Sequence, residues 1–175
     1  DVKVITYLCQ GKLHPDFHGV ELGMSDKLVL KAIATAAGAK IDTVEEMWQS
    51  EGDPGTVAEK LMGRKKQMSL FSEPLTLDRV VNILLKIESA SGKDSQDTKA
   101  KLLTQILNDA TPVEARYLCR IVTGRMRVGA GAMTLLDAMA IAYATKEDRP
   151  TVERAFNITC DLGVVAETMA TKGLD

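Results

Sequence analysis

Residues that start α-helices punctuate this chain from end to end, and nowhere does it show the apolar–polar alternation of a half-buried strand. Ser25, Asp42, Asp53, Thr76, Ser95, Thr111 and Asp161 each stand ahead of a periodic apolar run, where a side-chain oxygen can accept from the unpaired amides of a first turn. Pro54 and Pro112 directly follow two of these caps, at the one helical position where a missing N–H costs nothing. Between Thr76 and Ala90, the residues Leu77, Val80, Val81, Leu84, Leu85 and Ile87 make an apolar stripe of helical period. Residues 95–107 do the same with Leu102, Leu103, Ile106 and Leu107. Gly38, Gly63 and Gly92 are read as helix stops or turn openers. The expectation is an all-α, compact multi-helix domain of about eight to ten short helices with almost no sheet. A length of 175 residues allows one well-formed core or two small packed lobes.

The chain also echoes itself. Tyr7-Leu8-Cys9-Gln10 returns as Tyr117-Leu118-Cys119-Arg120, and each is followed by a glycine, a base and an apolar residue: Gly11-Lys12-Leu13 and Gly124-Arg125-Met126. Gly23 and Gly129 then open helices that read Leu30-Lys31-Ala32-Ile33-Ala34 and Leu136-Asp137-Ala138-Met139-Ala140. Thr43-Val44-Glu45 recurs as Thr151-Val152-Glu153, and Trp48 is answered by Phe156. Asp53-Pro54-Gly55-Thr56-Val57-Ala58-Glu59 recurs as Asp161-Leu162-Gly163-Val164-Val165-Ala166-Glu167. Chance among helix-forming residues gives one such echo, not a run of them in the same order. An internal pseudo-twofold duplication is therefore expected, with half-repeats at about 4–62 and 112–173 around a helical insert at 63–111.

Net charge is only −2, but its distribution is uneven. From Ala115 to Leu136 there are four arginines (Arg116, Arg120, Arg125, Arg127) and no acid, and Arg64-Lys65-Lys66 is a second basic knot. Cys9, Cys119 and Cys160 form neither an even set nor a CxxC pair and sit among apolar neighbours, so they are read as buried and reduced in an intracellular protein. His14 and His18 are not read as a metal pair, because Pro15 lies between them and no third ligand is near in sequence. No apolar run reaches the roughly 20 residues of a membrane span. The chain starts without Met inside an apolar pattern and is read as a piece of a longer protein.

The segment Arg120 to Gly131 ends one helix and opens the next. Gly124, Gly129 and Gly131 let the backbone approach a partner closely, while Arg125 and Arg127 flank Met126 on one turn. Two guanidiniums around a small apolar wedge suit phosphates bordering a minor groove, where charge gives affinity and shape gives readout. A solvated basic loop is the other reading of the same residues. The echoed loops add Lys12 and Gly23 to the candidates, and Lys99, Arg64, Lys65 and Lys66 are further positions from which a base can reach phosphate. No Walker loop, HExxH, Gly-x-Ser-x-Gly or Lys-x-Asp-Gly motif occurs, so no catalysis, cofactor or metal is assigned to these residues. A duplex-DNA-binding module is the leading reading. The competing ones are a helical protein-interaction scaffold and, less favoured for want of a nucleophile motif, a self-sufficient enzyme.

Taken together, Gly19-Val20-Glu21-Leu22-Gly23, Gly52-Asp53-Pro54-Gly55-Thr56-Val57-Ala58-Glu59, Glu114-Ala115-Arg116-Tyr117-Leu118 and Thr123-Gly124-Arg125-Met126-Arg127-Val128-Gly129 resemble the N-terminal DNA-binding domain of ATP-dependent DNA ligases. The Ser95-Gln96-Asp97 helix start resembles the archaeal branch, and the likeness runs collinearly from about Tyr7 to Gly173. It implies an all-helical, monomeric domain lying across the minor groove on both sides of a nick, with adenylation and oligonucleotide-binding-fold domains expected after Asp175. ATP and Mg²⁺ would serve that larger, cytoplasmic and nucleoid-associated enzyme in replication and repair. The DNA contacts implied by the resemblance fall on Gly124, Arg125, Arg127, Gly129 and Gly131. In archaeal relatives a short Gln-containing peptide resembles a sliding-clamp anchor, which here implies Gln67, Leu70 and Phe71. The alternative for Leu70 and Phe71 is that they cover the domain's own core.

Overall fold

The computed structural model describes residues 1–64 and 74–174, and among these it contains ten α-helices and no strand. They are α1 (Val2–Leu8), α2 (Asp26–Ala37), α3 (Ile41–Glu51), α4 (Pro54–Arg64), α5 (Leu77–Ser89), α6 (Ser95–Asp109), α7 (Pro112–Val122), α8 (Ala132–Tyr143), α9 (Arg149–Thr159) and α10 (Leu162–Lys172). Short 3-10 turns occupy Asp16–His18 and Lys146–Asp148. The expected all-α class is what the backbone adopts.

Most helix starts follow the local chemistry. The Ser25 hydroxyl accepts from the Leu28 amide, Thr76 from Arg79, and Asp161 from Val164 at 3.0 Å. Thr111 and Glu114 form a reciprocal capping box ahead of Pro112. Two expected caps fail. α3 begins at Ile41 with Lys40 at its cap, so Asp42 sits inside the first turn, where its charge faces the positive end of the helix dipole. Ser95 is itself the first helical residue, with Asp94 before it. Gly63 does not stop α4, which runs on through Arg64. In α5 the buried residues are Ile83, Leu84 and Ile87, whereas Leu85 is exposed. Of the cysteines only Cys119 is buried; Cys9 is half-buried and Cys160 is exposed at the end of α9, and all are free thiols. Apolar neighbours in sequence do not fix which way a helix end turns its side chain.

The helices gather into two compact units. One comprises Asp1–Glu21 and Met126–Asp175, and the other Leu22–Arg125. In the first, α10 packs against α1, α8 and α9 around Leu136, Met139, Ala140, Val152, Leu162, Val165, Ala166 and Met169. In the second, α4 packs against α7, α2 and α3, while α6 covers α2 and α5 covers α6. Its interior includes Val29, Leu30, Ile33, Val44, Val57, Leu84, Ile87, Leu103, Ile106 and Val122.

The same contacts recur within each unit. In one, Tyr7 on α1 donates its hydroxyl proton to the α10 cap Asp161 at 2.7 Å, and Lys3 lies 3.9 Å from Glu167. In the other, Arg120 on α7 donates to the α4 cap Asp53 through Nε and Nη2 at 3.0 and 2.6 Å, and Arg116 pairs with Glu59. Tyr7 and Arg120 thus each bond the aspartate that starts a helix packed against their own. Burial, then the Asp161 hydrogen bond and charge, push the Tyr7 phenol far above its ordinary range, so it stays a neutral donor.

Candidate nucleic-acid interface

Two helix ends deliver a base in the same way. After α7, Gly124 takes a left-handed φ of 67°; its amide donates to Ile121 O at 3.0 Å and the Arg125 amide to Arg120 O at 2.9 Å. After α1, Gly11 has φ 73°; its amide donates to Leu8 O at 2.9 Å and the Lys12 amide to Tyr7 O at 3.1 Å. This paired closure satisfies the last carbonyls and needs a residue without a Cβ penalty at its centre. The side chain that follows, Arg125 or Lys12, is thereby fixed at its root.

In the first unit, the Lys12 turn and the segment that opens α8 face each other across one groove. Lys12, Asp16, Arg127, Gly129 and Gly131 all line it, so residues more than a hundred positions apart share a wall. Lys12 is paired with Asp16 across one turn. Arg127 holds φ 52°, a left-handed conformation that costs a non-glycine residue roughly 1–2 kcal/mol, and its side chain is exposed. Gly129 has φ 68°. Gly131 is different: φ is −86°, and a Cβ built there would meet nothing within 4 Å. Neither backbone strain nor protein packing requires a glycine at that position.

In the second unit, Arg125 reaches Asp26, with Nη2 donating to Oδ2 at 3.1 Å while its side chain stays 53% exposed. Gly23 is exposed beside Leu22, whose carbonyl accepts from Lys99 Nζ at 2.9 Å. The Lys99 ammonium is therefore engaged within the protein, next to Gly23. Arg64 is exposed at the end of α4. Lys65 and Lys66, and the Gln67, Leu70 and Phe71 of the expected clamp anchor, lie outside the described residues.

The acid-free stretch read from the sequence is neutralised in space. Arg116 and Arg120 are bound to Glu59 of α4 and to its cap Asp53, and of the four arginines only Arg125 and Arg127 present exposed side chains. Sequence reading missed Asp26, because an acid directly after the Ser25 cap reads as an ordinary first-turn residue. His14 and His18 stack with ring centroids 5.4 Å apart. Among the described residues no group of three or more His, Cys, Asp or Glu side chains is placed to hold a metal ion. No helix among them is long and apolar enough to cross a membrane.

Comparison with known proteins adds the following. A family model described as DNA ligase N terminus matches residues 1–140. The DNA ligase of Nitrosopumilus maritimus is 42% identical over 174 residues, covering 99% of this chain and 30% of that ligase. DNA ligase 2 of Thermofilum pendens is 45% identical over 179 residues, covering 98% of this chain and 30% of the relative. For the DNA ligase of Aeropyrum pernix the figures are 44% over 187 residues, 99% and 31%. The chain thus spans about 30% of the length of these curated relatives.

Proposed function

The chain belongs to the DNA ligase N-terminal family, and from that premise we propose that it is a non-catalytic module gripping duplex DNA along the minor groove and backbone around a nick. The observation that carries this reading is the groove in which Lys12, Arg127, Gly129 and Gly131 meet. Cations fixed at their roots neutralise phosphates, while a wall of glycines lets the sugar-phosphate backbone come close. Arg125, Gly124 and Gly23 offer the same chemistry in the second unit, and Arg64, Lys65 and Lys66 are proposed as further phosphate contacts. Lys99 supports the surface through the Leu22 carbonyl. Binding of this kind discriminates little among base sequences, because the readout is of backbone and groove shape.

In this proposal the nick-sealing chemistry, with ATP and Mg²⁺, resides in the part of the ligase that this chain does not span. A sliding clamp is the proposed partner of Gln67, Leu70 and Phe71. The recurrence of the Tyr7–Asp161 and Arg120–Asp53 contacts supports an internal duplication in which the first helix of each half packs on the last helix of the other.

The charge contacts are tested by salt. Replacing Arg125 and Arg127 together with alanine is expected to flatten the plot of log K against log salt by about 2, one ion per lost phosphate contact. An unchanged slope, or binding that ignores duplex length, would favour the protein-scaffold alternative. Close approach is tested by Gly131→Ala. The fold has room for the methyl, so stability is expected to stay within about 0.5 kcal/mol of the parent. A methyl thrust against a docked backbone should cost about 1–3 kcal/mol, as overpacking does, or roughly 5-fold to 150-fold in Kd. Parental affinity in Gly131→Ala would remove Gly131 from the interface.

A further inference from the structure

We propose that Asp26 is a positioning residue for DNA binding, holding the Arg125 guanidinium in the orientation in which it meets a phosphate. The proposal rests on the nucleic-acid reading of the 124–131 turn. Asp26 is the first residue of α2, and its side chain is 19% exposed. Its Oδ2 accepts from Arg125 Nη2, whereas its Oδ1 is buried without a hydrogen-bond partner. Helix capping does not explain this arrangement: the Ser25 hydroxyl already accepts from the Leu28 amide, and a fully solvated carboxylate would serve the helix dipole as well. An unpartnered buried carboxylate oxygen is unfavourable, and what the placement achieves is to aim the other oxygen at Arg125.

Both ends of the pair belong to one framework. The segment leading to Asp26 is pinned by Lys99 on the Leu22 carbonyl and by the Met24 amide donating to Val122 O at 3.3 Å. Leu22 and Met24 are buried. Val122 is the last residue of α7, and the Arg125 amide is closed back onto that same helix. An arginine has five donors in a planar fork, so holding one amino group leaves other donors for a partner, with the 53% exposed side chain already restrained. Ordering a long side chain before binding removes a cost otherwise met at the moment of contact.

Simple charge counting gives the opposite sign, and this makes the idea testable. A carboxylate behind Arg125 repels phosphate, so electrostatics alone makes Asp26→Asn a tighter binder. Positioning makes it a weaker one. Affinity for a fluorescently labelled duplex carrying a single nick would be measured for the parent chain, Asp26→Asn, Arg125→Ala and the double variant across a salt series. The expected result is a Kd about threefold to tenfold higher for Asp26→Asn, with an unchanged salt slope and no further loss when Asp26→Asn is added to Arg125→Ala. If Arg125→Ala weakens binding while Asp26→Asn equals or exceeds the parent, the positioning role is wrong and the DNA reading stands. If Arg125→Ala leaves both affinity and slope intact, both fall together.

Discussion

Replacing Gly55 with alanine is expected to lower the stability of this protein by about 2–3 kcal/mol, although alanine is the better helix former by about 1 kcal/mol. The reason is the approach of α4 to α7. A Cβ at Gly55 would lie 2.6 Å from the carbonyl oxygen of Arg116 and 2.9 Å from Arg120 Cγ. A side chain can swing away, but a helical carbonyl cannot move without taking its helix with it. The two helices must therefore separate, loosening the contacts of Val57, Ala58, Leu118 and Cys119, all buried in that unit. Gly63, near the other end of α4, supplies the control. Its Cβ would meet only Pro112 Cγ at 3.9 Å, an ordinary contact, so Gly63→Ala should be neutral or stabilising by a few tenths of a kcal/mol. Thermal unfolding of the pair decides the matter. A drop of roughly 5–10 °C for Gly55→Ala alone is expected, and equal melting points would refute the steric argument.

A still larger effect falls on the ion pair beside that glycine. Asp53 is 4% exposed, yet every hydrogen bond around it favours the carboxylate. Its oxygens accept from the Gly55 amide at 3.2 Å, from the Thr56 hydroxyl at 2.9 Å, and from Arg120 Nε and Nη2. Burial alone would raise its pKa, but the Arg120, Thr56 and Gly55 hydrogen bonds and the Arg120 charge outweigh burial and hold it below the usual aspartate value. Removing the arginine with Arg120→Ala leaves a buried charge unpaired, which should cost about 3–5 kcal/mol at neutral pH.

The pH dependence follows from the direction of that shift. A carboxyl whose pKa is depressed on folding contributes its stability fully above the unfolded value, about 3.9, and loses it as pH falls toward the folded value. In Arg120→Ala the burial penalty survives with only the Thr56 and Gly55 bonds left to oppose it, so the folded carboxyl titrates higher than in the parent. The stability gap between parent and variant is therefore expected to narrow as pH drops from about 5 toward 3. Urea midpoints across that range measure it, and a gap independent of pH would mean that the pair contributes through packing alone.

Local chemistry made much of the fold legible. Ser25, Thr76, Thr111 and Asp161 cap the helices that the sequence assigns to them, because a cap is an exchange between neighbours within a single turn. Where burial was misread, the deciding contact was not local. Leu85 and Ile83 differ in burial because α6 covers one side of α5, and the spacing of apolar letters does not say where that cover lies. Tyr7 and Arg120 share the task of bonding an aspartate cap, and no likeness of letters joins those two residues.

The candidate interface divides in the same way. Glycines placed after α1 and α7 turn the chain and present Lys12 and Arg125, and the sequence by itself determined this, since a left-handed turn at a helix end depends on the residue occupying it. Which cations face outward was decided only by the tertiary structure. Arg116, Arg120 and Arg125 meet acids 57, 67 and 99 residues away, and no pattern of neighbours encodes such partners. Charge along a chain is additive, but charge at a surface is what remains after folding has paired the rest, and that remainder is set by how the helices pack.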